Sequence, residues 1–190
     1  MALKAIIFNG ALERRAESTS EVLSNYLKEK LEAAEVESQI FTLADSGIPL
    51  FDITLQKTPK AVAWMAQQFV EADLHIWLAP LYHGSIPGAM KNALDWLEIT
   101  ANAPKPYLID KTVGMLCWAD GMQAMQGINS MDAIAKSLRA WPLPYSVPIV
   151  RSELFKNNEI SKRKINPFYQ EKLDRLIYIA TTRNIEVNHL

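Results

Sequence analysis

The chain has 190 residues, of which 49% are hydrophobic and 22% charged, with a formal net charge of -1. This length is typical of one domain, and we expect residues 1–190 to form one. The near-neutral charge excludes an electrostatic basis for binding nucleic acid or an anionic membrane surface. The single cysteine, Cys117, excludes an intrachain disulfide, and no apolar run approaches the roughly 20 residues of a membrane-spanning helix. We therefore expect a cytoplasmic protein.

The N-terminal segment predicts a strand, a loop and a helix. Leu3 to Asn9 is short, apolar and partly β-branched, which is typical of a strand. Ser18-Thr19-Ser20 stands at the head of the first helix, and Ser18 with Glu21 is a capping-box pattern. The same hydroxyls, with the free N–H groups of a helix start, also favour phosphate binding. Both interpretations can hold together, because a cap needs only one hydroxyl.

The middle of the chain alternates strands and helices. Ser38 to Leu43 predicts the second strand, and Pro59 to about Ala72 predicts the second helix. Leu74 to Ala79 is nearly all apolar, as in a parallel strand that is covered on both faces. Pro80 should end this strand because it has no N–H to donate. Gly84 permits a turn, and a helix from Gly88 to Thr100 follows.

The C-terminal third predicts two more strands and two more helices. Val113 to Trp118 is the fourth strand, and a helix from Gly121 to Arg139 follows it with Asp120 as a candidate N-cap. Tyr145 to Val150 predicts a fifth strand, which Pro148 places at a sheet edge. Phe168 to about Thr182 predicts the last helix. Five strands that alternate with helices indicate an α/β fold with a parallel sheet.

The segment after the third predicted strand resembles a family signature. Pro80-Leu81-Tyr82, then Gly84-Ser85-Ile86-Pro87-Gly88, then Lys91-Asn92-Ala93-Leu94-Asp95-Trp96-Leu97 is similar to the NAD(P)H-dependent FMN reductase family, which includes flavin, quinone, azo and metal-oxyanion reductases. The resemblance implies a flavodoxin-like fold, with a five-stranded parallel sheet of order 2-1-3-4-5 and helices on both faces. In that order, the loops after strands one, three and four converge at one sheet edge.

The resemblance also implies which residues bind FMN. The phosphate would lie on Ser18, Thr19 and Ser20. The ring would be contacted by Pro80, Leu81, Tyr82, His83, Gly84 and Ser85, and its edge by Ala119, Asp120 and Gly121. Two positions depart from the family pattern, since Ala11 stands where a serine is usual and Glu13 where a basic residue is usual. Arg14 or Arg15 could supply the missing charge.

The implied reaction is hydride transfer from NADPH or NADH to flavin N5, followed by reduction of a small acceptor. No catalytic side chain is expected, because the flavin carries the chemistry. No metal site is expected either, since His75, His83 and His189 are far apart and His75 reads as a core residue. Two alternatives are a flavodoxin-like electron carrier without its own turnover and a family member that has lost FMN.

The helix from Gly88 to Thr100 is apolar on two faces, and a sheet can cover only one of them. We expect Trp96 to be exposed and to join the helix from Gly121 to Arg139 in a two-fold interface that closes part of the flavin site. The predicted assembly is a homodimer or homotetramer. The alternative is that Trp96 folds over the loop from Pro104 to Pro106 within one chain.

Overall fold

A computed structural model of the chain describes residues 3–156 and 163–187, with side chains described as far as residue 182. The strands are β1 (Lys4–Asn9), β2 (Glu37–Thr42), β3 (Leu74–Pro80), β4 (Thr112–Ala119) and β5 (Trp141–Val150). The helices are α1 (Thr19–Ala33), α2 (Lys60–Glu71), α3 (Gly88–Asp95), α4 (Ala124–Ser137) and α5 (Pro167–Val187). Strands and helices therefore alternate along the chain, as the sequence predicts.

The five strands form one parallel sheet in the order β2-β1-β3-β4-β5. This is the predicted flavodoxin-like order, and it is confirmed. The strand ends are in register, because Asn9 pairs with Leu78 in β3 and Pro80 pairs with Trp118 in β4. The loops that follow β1, β3 and β4 consequently leave the sheet side by side at its carboxyl edge.

Helices cover both faces of the sheet. On one face, α1 and α5 pack with Leu74, Ile76 and Leu78 of β3 in a single apolar cluster. On the other face, α2, α3 and α4 pack with Trp77 and Ala79 of the same strand. Successive side chains of a strand point to opposite faces, so both sets must be apolar. This explains why β3 reads as an unbroken apolar run.

Several element boundaries differ from the predictions. Strand β3 ends at Pro80, one residue beyond the predicted last residue Ala79, and the N–H of Leu81 still donates to the Trp118 carbonyl at 2.8 Å. The third helix is α-helical only to Asp95 and continues as a 3₁₀ turn, Trp96–Thr100. Helix α4 begins at Ala124 rather than Gly121, and β5 begins at Trp141 rather than Tyr145. The predicted edge position of β5 is confirmed, and there its prolines remove no ladder bond with a further strand.

The predicted exposure of Trp96 is wrong. Its side chain is only 2% exposed, and its indole N–H donates to the Pro49 carbonyl at 2.9 Å. The Trp96 ring meets Phe51 edge to face at 5.2 Å, and Asn92 accepts the Phe51 N–H at 2.7 Å. The loop that follows β2 therefore covers this helix face, which the helical pattern alone could not show. Trp96 therefore forms no exposed patch.

His75 is a core residue, as predicted. It is fully buried, its Nε2–H donates to the Phe69 carbonyl at 2.9 Å, and its ring meets the Phe69 ring edge to face. Burial disfavours the charged imidazolium and lowers the pKa of His75 to about 3. Cys117 is also buried, and loss of solvation raises the pKa of its thiol to about 12. It is therefore a small core residue and not a reactive thiolate.

Because His75 is buried in its neutral form, we expect the folded state to lose stability in acid. Its pKa falls from 6.5 when exposed to about 3 in the folded state, so between these values the unfolded state binds a proton that the folded state excludes. Stability from the neutral imidazole is complete above pH 6.5 and is lost as the pH falls toward 3. The His75→Gln variant keeps an N–H donor but cannot gain this proton. In urea unfolding, wild type should lose about 2 kcal/mol more than H75Q between neutral pH and about pH 5. Parallel pH profiles would contradict this assignment.

Candidate functional site

The carboxyl edge of the sheet carries a cavity at the place where the three predicted loops meet. This cavity of about 70 Å³ is lined by Ala11, Leu12, Glu13, Pro80, Leu81, Tyr82, Trp118, Ala119, Asp120 and Arg151. The first three follow β1, the next three surround the end of β3, and Trp118 to Asp120 surround the end of β4. The structure therefore brings together residues from all three predicted loops.

The start of α1 is capped as the sequence predicts. The Ser18 hydroxyl accepts the Glu21 N–H at 3.3 Å. The Glu21 carboxylate in return accepts the N–H of Glu17 at 2.7 Å, one residue before the usual partner in a capping box. Glu17 has a φ of 58°, so the chain turns sharply into the helix there.

Hydroxyl and N–H donors are concentrated at this helix start. Ser18, Thr19 and Ser20 are all buried, and the Ser18 and Ser20 hydroxyl oxygens lie 3.2 Å apart. Within the described residues, the N–H groups of Thr19 and Ser20 have no hydrogen-bond acceptor. Both serines line a second cavity, of about 400 Å³, and Glu13 lines this cavity as well as the one at the sheet edge. The two cavities therefore adjoin at Glu13.

Both arginines of the first loop are paired with carboxylates. Arg14 donates from Nε to Asp45 at 3.1 Å and also donates to the Ala44 carbonyl. Arg15 donates from Nε to Glu13 at 2.6 Å. Neither guanidinium is thus an unpaired positive charge beside the serines.

The loop after β3 is a tight two-residue turn. Tyr82 and Ser85 exchange two backbone hydrogen bonds of 2.9 and 3.1 Å, and His83 and Gly84 have φ values of 49° and 86°. These values define a type I′ turn, which needs positive φ at both central residues. The N–H of Ser85 donates to the Tyr82 carbonyl within the turn and is therefore not free to donate to a ring. The N–H groups of His83 and Gly84 make no hydrogen bond within the described part of the chain.

Helix α4 holds this turn in place through a side-chain hydrogen bond. The Ser85 hydroxyl donates to Ser130 at 3.1 Å, and Ser130 donates to the Gln126 carbonyl at 3.0 Å. Gly127 lies directly on β4, since a Cβ at this position would stand 2.4 Å from the Cys117 sulfur and 3.3 Å from Leu81. The absence of a side chain at Gly127 lets the helix lie close to both residues.

Ala119 is the last residue of β4, and Asp120 and Gly121 follow it, but Asp120 is not a helix cap. Helix α4 begins three residues after Gly121, with Gln123 at its N-cap position. Asp120 instead pairs with Arg151 at 2.7 Å, and both side chains are exposed. Sequence reasoning missed Arg151. It directly follows β5 as Asp120 follows β4, so the parallel register of Ala119 with Val150 could have identified it.

The chain is similar to flavin-dependent oxidoreductases. A family model described as NADPH-dependent FMN reductase matches residues 3–153. An FMN-dependent NADPH-azoreductase of Staphylococcus aureus is 25% identical over 162 residues, which cover 83% of this chain and 82% of that protein.

Solved structures show the same fold. RosB with a bound 8-demethyl-8-formylriboflavin-5'-phosphate has a TM-score of 0.76 at 15% identity, covering 99% of this chain and 81% of that one. The NAD(P)H:(acceptor) oxidoreductase FerB of Paracoccus denitrificans has a TM-score of 0.71 at 17% identity, covering 96% and 98%. At these identities the likeness concerns the fold alone.

Two other classes of site are missing from the described residues. No group of three or more His, Cys, Asp or Glu side chains is arranged there to hold a metal ion. Among the described helices, none combines the length and the apolar character that a bilayer-spanning helix needs.

Because Gly127 sets the distance between α4 and the loop after β3, its replacement should disturb both. Gly127→Ala should destabilise the fold by about 1–3 kcal/mol, because the added methyl group overlaps the Cys117 sulfur. The double variant Cys117→Ala/Gly127→Ala removes that sulfur and should recover most of the loss. Urea unfolding of the single and double variants measures both effects. Equal stability of G127A and wild type would show that α4 is free to shift.

Proposed function

We propose that this chain, which belongs to the NADPH-dependent FMN reductase family, passes electrons from NADPH or NADH through FMN to a small acceptor. The cofactor and the nicotinamide donor follow from the family. The acceptor is the proposed part, and the candidates are a flavin, a quinone, an azo compound or a metal oxyanion. The main support for the proposal is that the loops after β1, β3 and β4 come together and line adjoining cavities.

The residues present suit FMN in two respects. At one end, the Ser18 and Ser20 hydroxyls and the N–H groups of Thr19 and Ser20 form a buried set of donors for the phosphate oxygens. At the other end, the unpaired N–H groups of His83 and Gly84 can donate to polar atoms of the ring. The phosphate would thus lie at the start of α1.

We propose that the ring lies against the loop after β3 and the end of β4. Its neighbours would be Pro80, Leu81, Tyr82, His83, Gly84 and Ser85, with Ala119, Asp120 and Gly121 at its edge. Tyr82 is 59% exposed and His83 is also exposed, so both side chains can flank a flat ligand. The turn itself is held by two backbone bonds and by Ser130, which keeps these donors in a defined position.

Bound FMN would accept the hydride from the nicotinamide and pass electrons to the acceptor. This chain's residues bind and orient it, and no nucleophile is required of them. Cys117 cannot be one, because it is buried and its thiol pKa is raised to about 12. The fully buried His75 is likewise separated from the site by the core around Phe69 and Trp77.

We also propose that the chain forms a homodimer or homotetramer. Because Trp96 is buried, this proposal depends on other residues. Exposed apolar side chains lie beside the site, with Tyr82 at 59%, Met122 at 89% and Met125 at 44% exposure. Exposed aromatic and methionine side chains are enriched where protein surfaces meet. A second copy seated there would contact the loop after β3 and close part of the flavin site.

The absorption spectrum of the purified protein with added FMN tests the function directly. We expect NADPH or NADH to bleach the flavin bands under anaerobic conditions, and an acceptor to restore them. A chain that binds FMN but is not reduced by either nucleotide would be an electron carrier. A chain that binds no flavin would be a family member that has lost FMN. Either result would contradict the proposal.

The hydroxyl of Ser20 offers a test of the phosphate position that spares the helix cap. Ser20→Ala should weaken FMN binding about tenfold, because a hydrogen bond to a charged group contributes about 1.5 kcal/mol or more. Riboflavin, which has no phosphate, should bind S20A and wild type equally. Ser137→Ala removes an exposed hydroxyl that bonds only within α4 and serves as the control. Equal FMN affinity of S20A and wild type in a fluorescence titration would place the phosphate elsewhere.

A further inference from the structure

We infer that the phosphate adds little to flavin binding in this chain, so that riboflavin and FMN bind with similar affinity, and that Glu13 sets this specificity. The inference rests on the proposed flavin site. The proposed ligands are flavins, with or without the terminal phosphate. A flavin that is held mainly by its ring and its ribityl chain can be exchanged as a substrate.

The position of Glu13 is the first ground. Its side chain lines the cavity that contains Ser18 and Ser20 and also the cavity at the sheet edge. A flavin that spans both cavities must therefore pass beside its carboxylate. The neighbouring Ala11 is buried and offers no hydroxyl in compensation.

The second ground is that the nearby cations are already engaged. The cavity with the serines is lined by three carboxylates, of Glu13, Glu21 and Asp45, and by two guanidinium groups, of Arg14 and Arg15. Arg15 is bonded to Glu13 and Arg14 to Asp45. A phosphate that bonded either arginine would share a guanidinium that already neutralises a carboxylate, so that carboxylate would stay close to the dianion.

The third ground is the way the helix start is capped. The Glu21 carboxylate accepts the Glu17 N–H, so it occupies one donor and places a negative charge where a phosphate gains most from the helix dipole. The hydroxyls and the remaining N–H groups still attract a phosphate. Their attraction is opposed by the carboxylates, and the two effects offset each other.

A neutral ribityl hydroxyl meets no such opposition. It can donate a hydrogen bond to the Glu13 carboxylate, which a phosphate dianion cannot do. The same site therefore accepts a flavin that ends in a hydroxyl group.

Fluorescence titrations of riboflavin and FMN at low ionic strength test the inference. Wild type should bind the two flavins within about tenfold of each other. Glu13→Gln should tighten FMN binding about tenfold, which is about 1.4 kcal/mol, and leave riboflavin within about twofold. Because the effect arises between charges, the gain for FMN should shrink as salt is added.

The control is Glu32→Gln, which makes the same change of charge near the other end of α1, where Glu32 pairs with Lys28. It should change neither affinity. Wild type binding FMN more than about 100-fold tighter than riboflavin, or E13Q shifting both flavins equally, would overturn the inference and leave the proposed function standing. Failure to bind either flavin would overturn both. Since the Glu13 side chain is partly exposed and Gln has the same shape, thermal unfolding should show E13Q to be folded.

Discussion

The parallel pairing of β3 with β4 is the interaction on which the rest of the structure depends. Every residue of both strands is buried, and their register runs from Leu74 with Thr112 to Pro80 with Trp118. Backbone groups in such an interior must be paired with each other, so the register is held strongly. One more bond, from the Leu81 N–H to the Trp118 carbonyl, extends the pairing beyond the strand. The loop after β3 thus begins from a fixed point beside β4.

The loop after β3 owes its shape to contacts beyond its own sequence. The type I′ turn at His83 and Gly84 is closed by backbone bonds, but its place over the sheet edge depends on α4. That helix can approach only because position 127 carries no side chain. Two unpaired N–H groups on a turn held in this way can meet a ligand without reordering the chain. The close packing of α4 against β4 and the loop after β3 therefore helps to fix the position of the site.

The two ends of the proposed flavin site differ in their electrostatics. The ring end has unpaired backbone donors and exposed aromatic and imidazole side chains, with the Asp120–Arg151 pair beside it. The phosphate end has buried hydroxyls, but its two arginines are paired with carboxylates. In the proposed site, the ring and the phosphate would thus be recognised by different loops, which can vary independently. Such a separation would allow one fold to hold flavins with or without a terminal phosphate.

The sequence by itself determined the alternation of strands and helices, the cap at Ser18, the turn at Gly84 and the core character of His75, and its resemblance to a family signature implied the sheet order and the helices on both faces. Each of these follows from periodicity, local backbone geometry or a matched motif, which involve residues near one another in the chain. Tertiary structure alone decided the burial of Trp96 beneath Pro49 and Phe51, the pairing of Asp120 with Arg151, and the pairing of Arg14 with Asp45. Each of these contacts joins residues about 30 or more positions apart, which no local pattern specifies. The amphipathic pattern could show that a helix has two apolar faces, but only the path of a distant loop could show which partner covers the second.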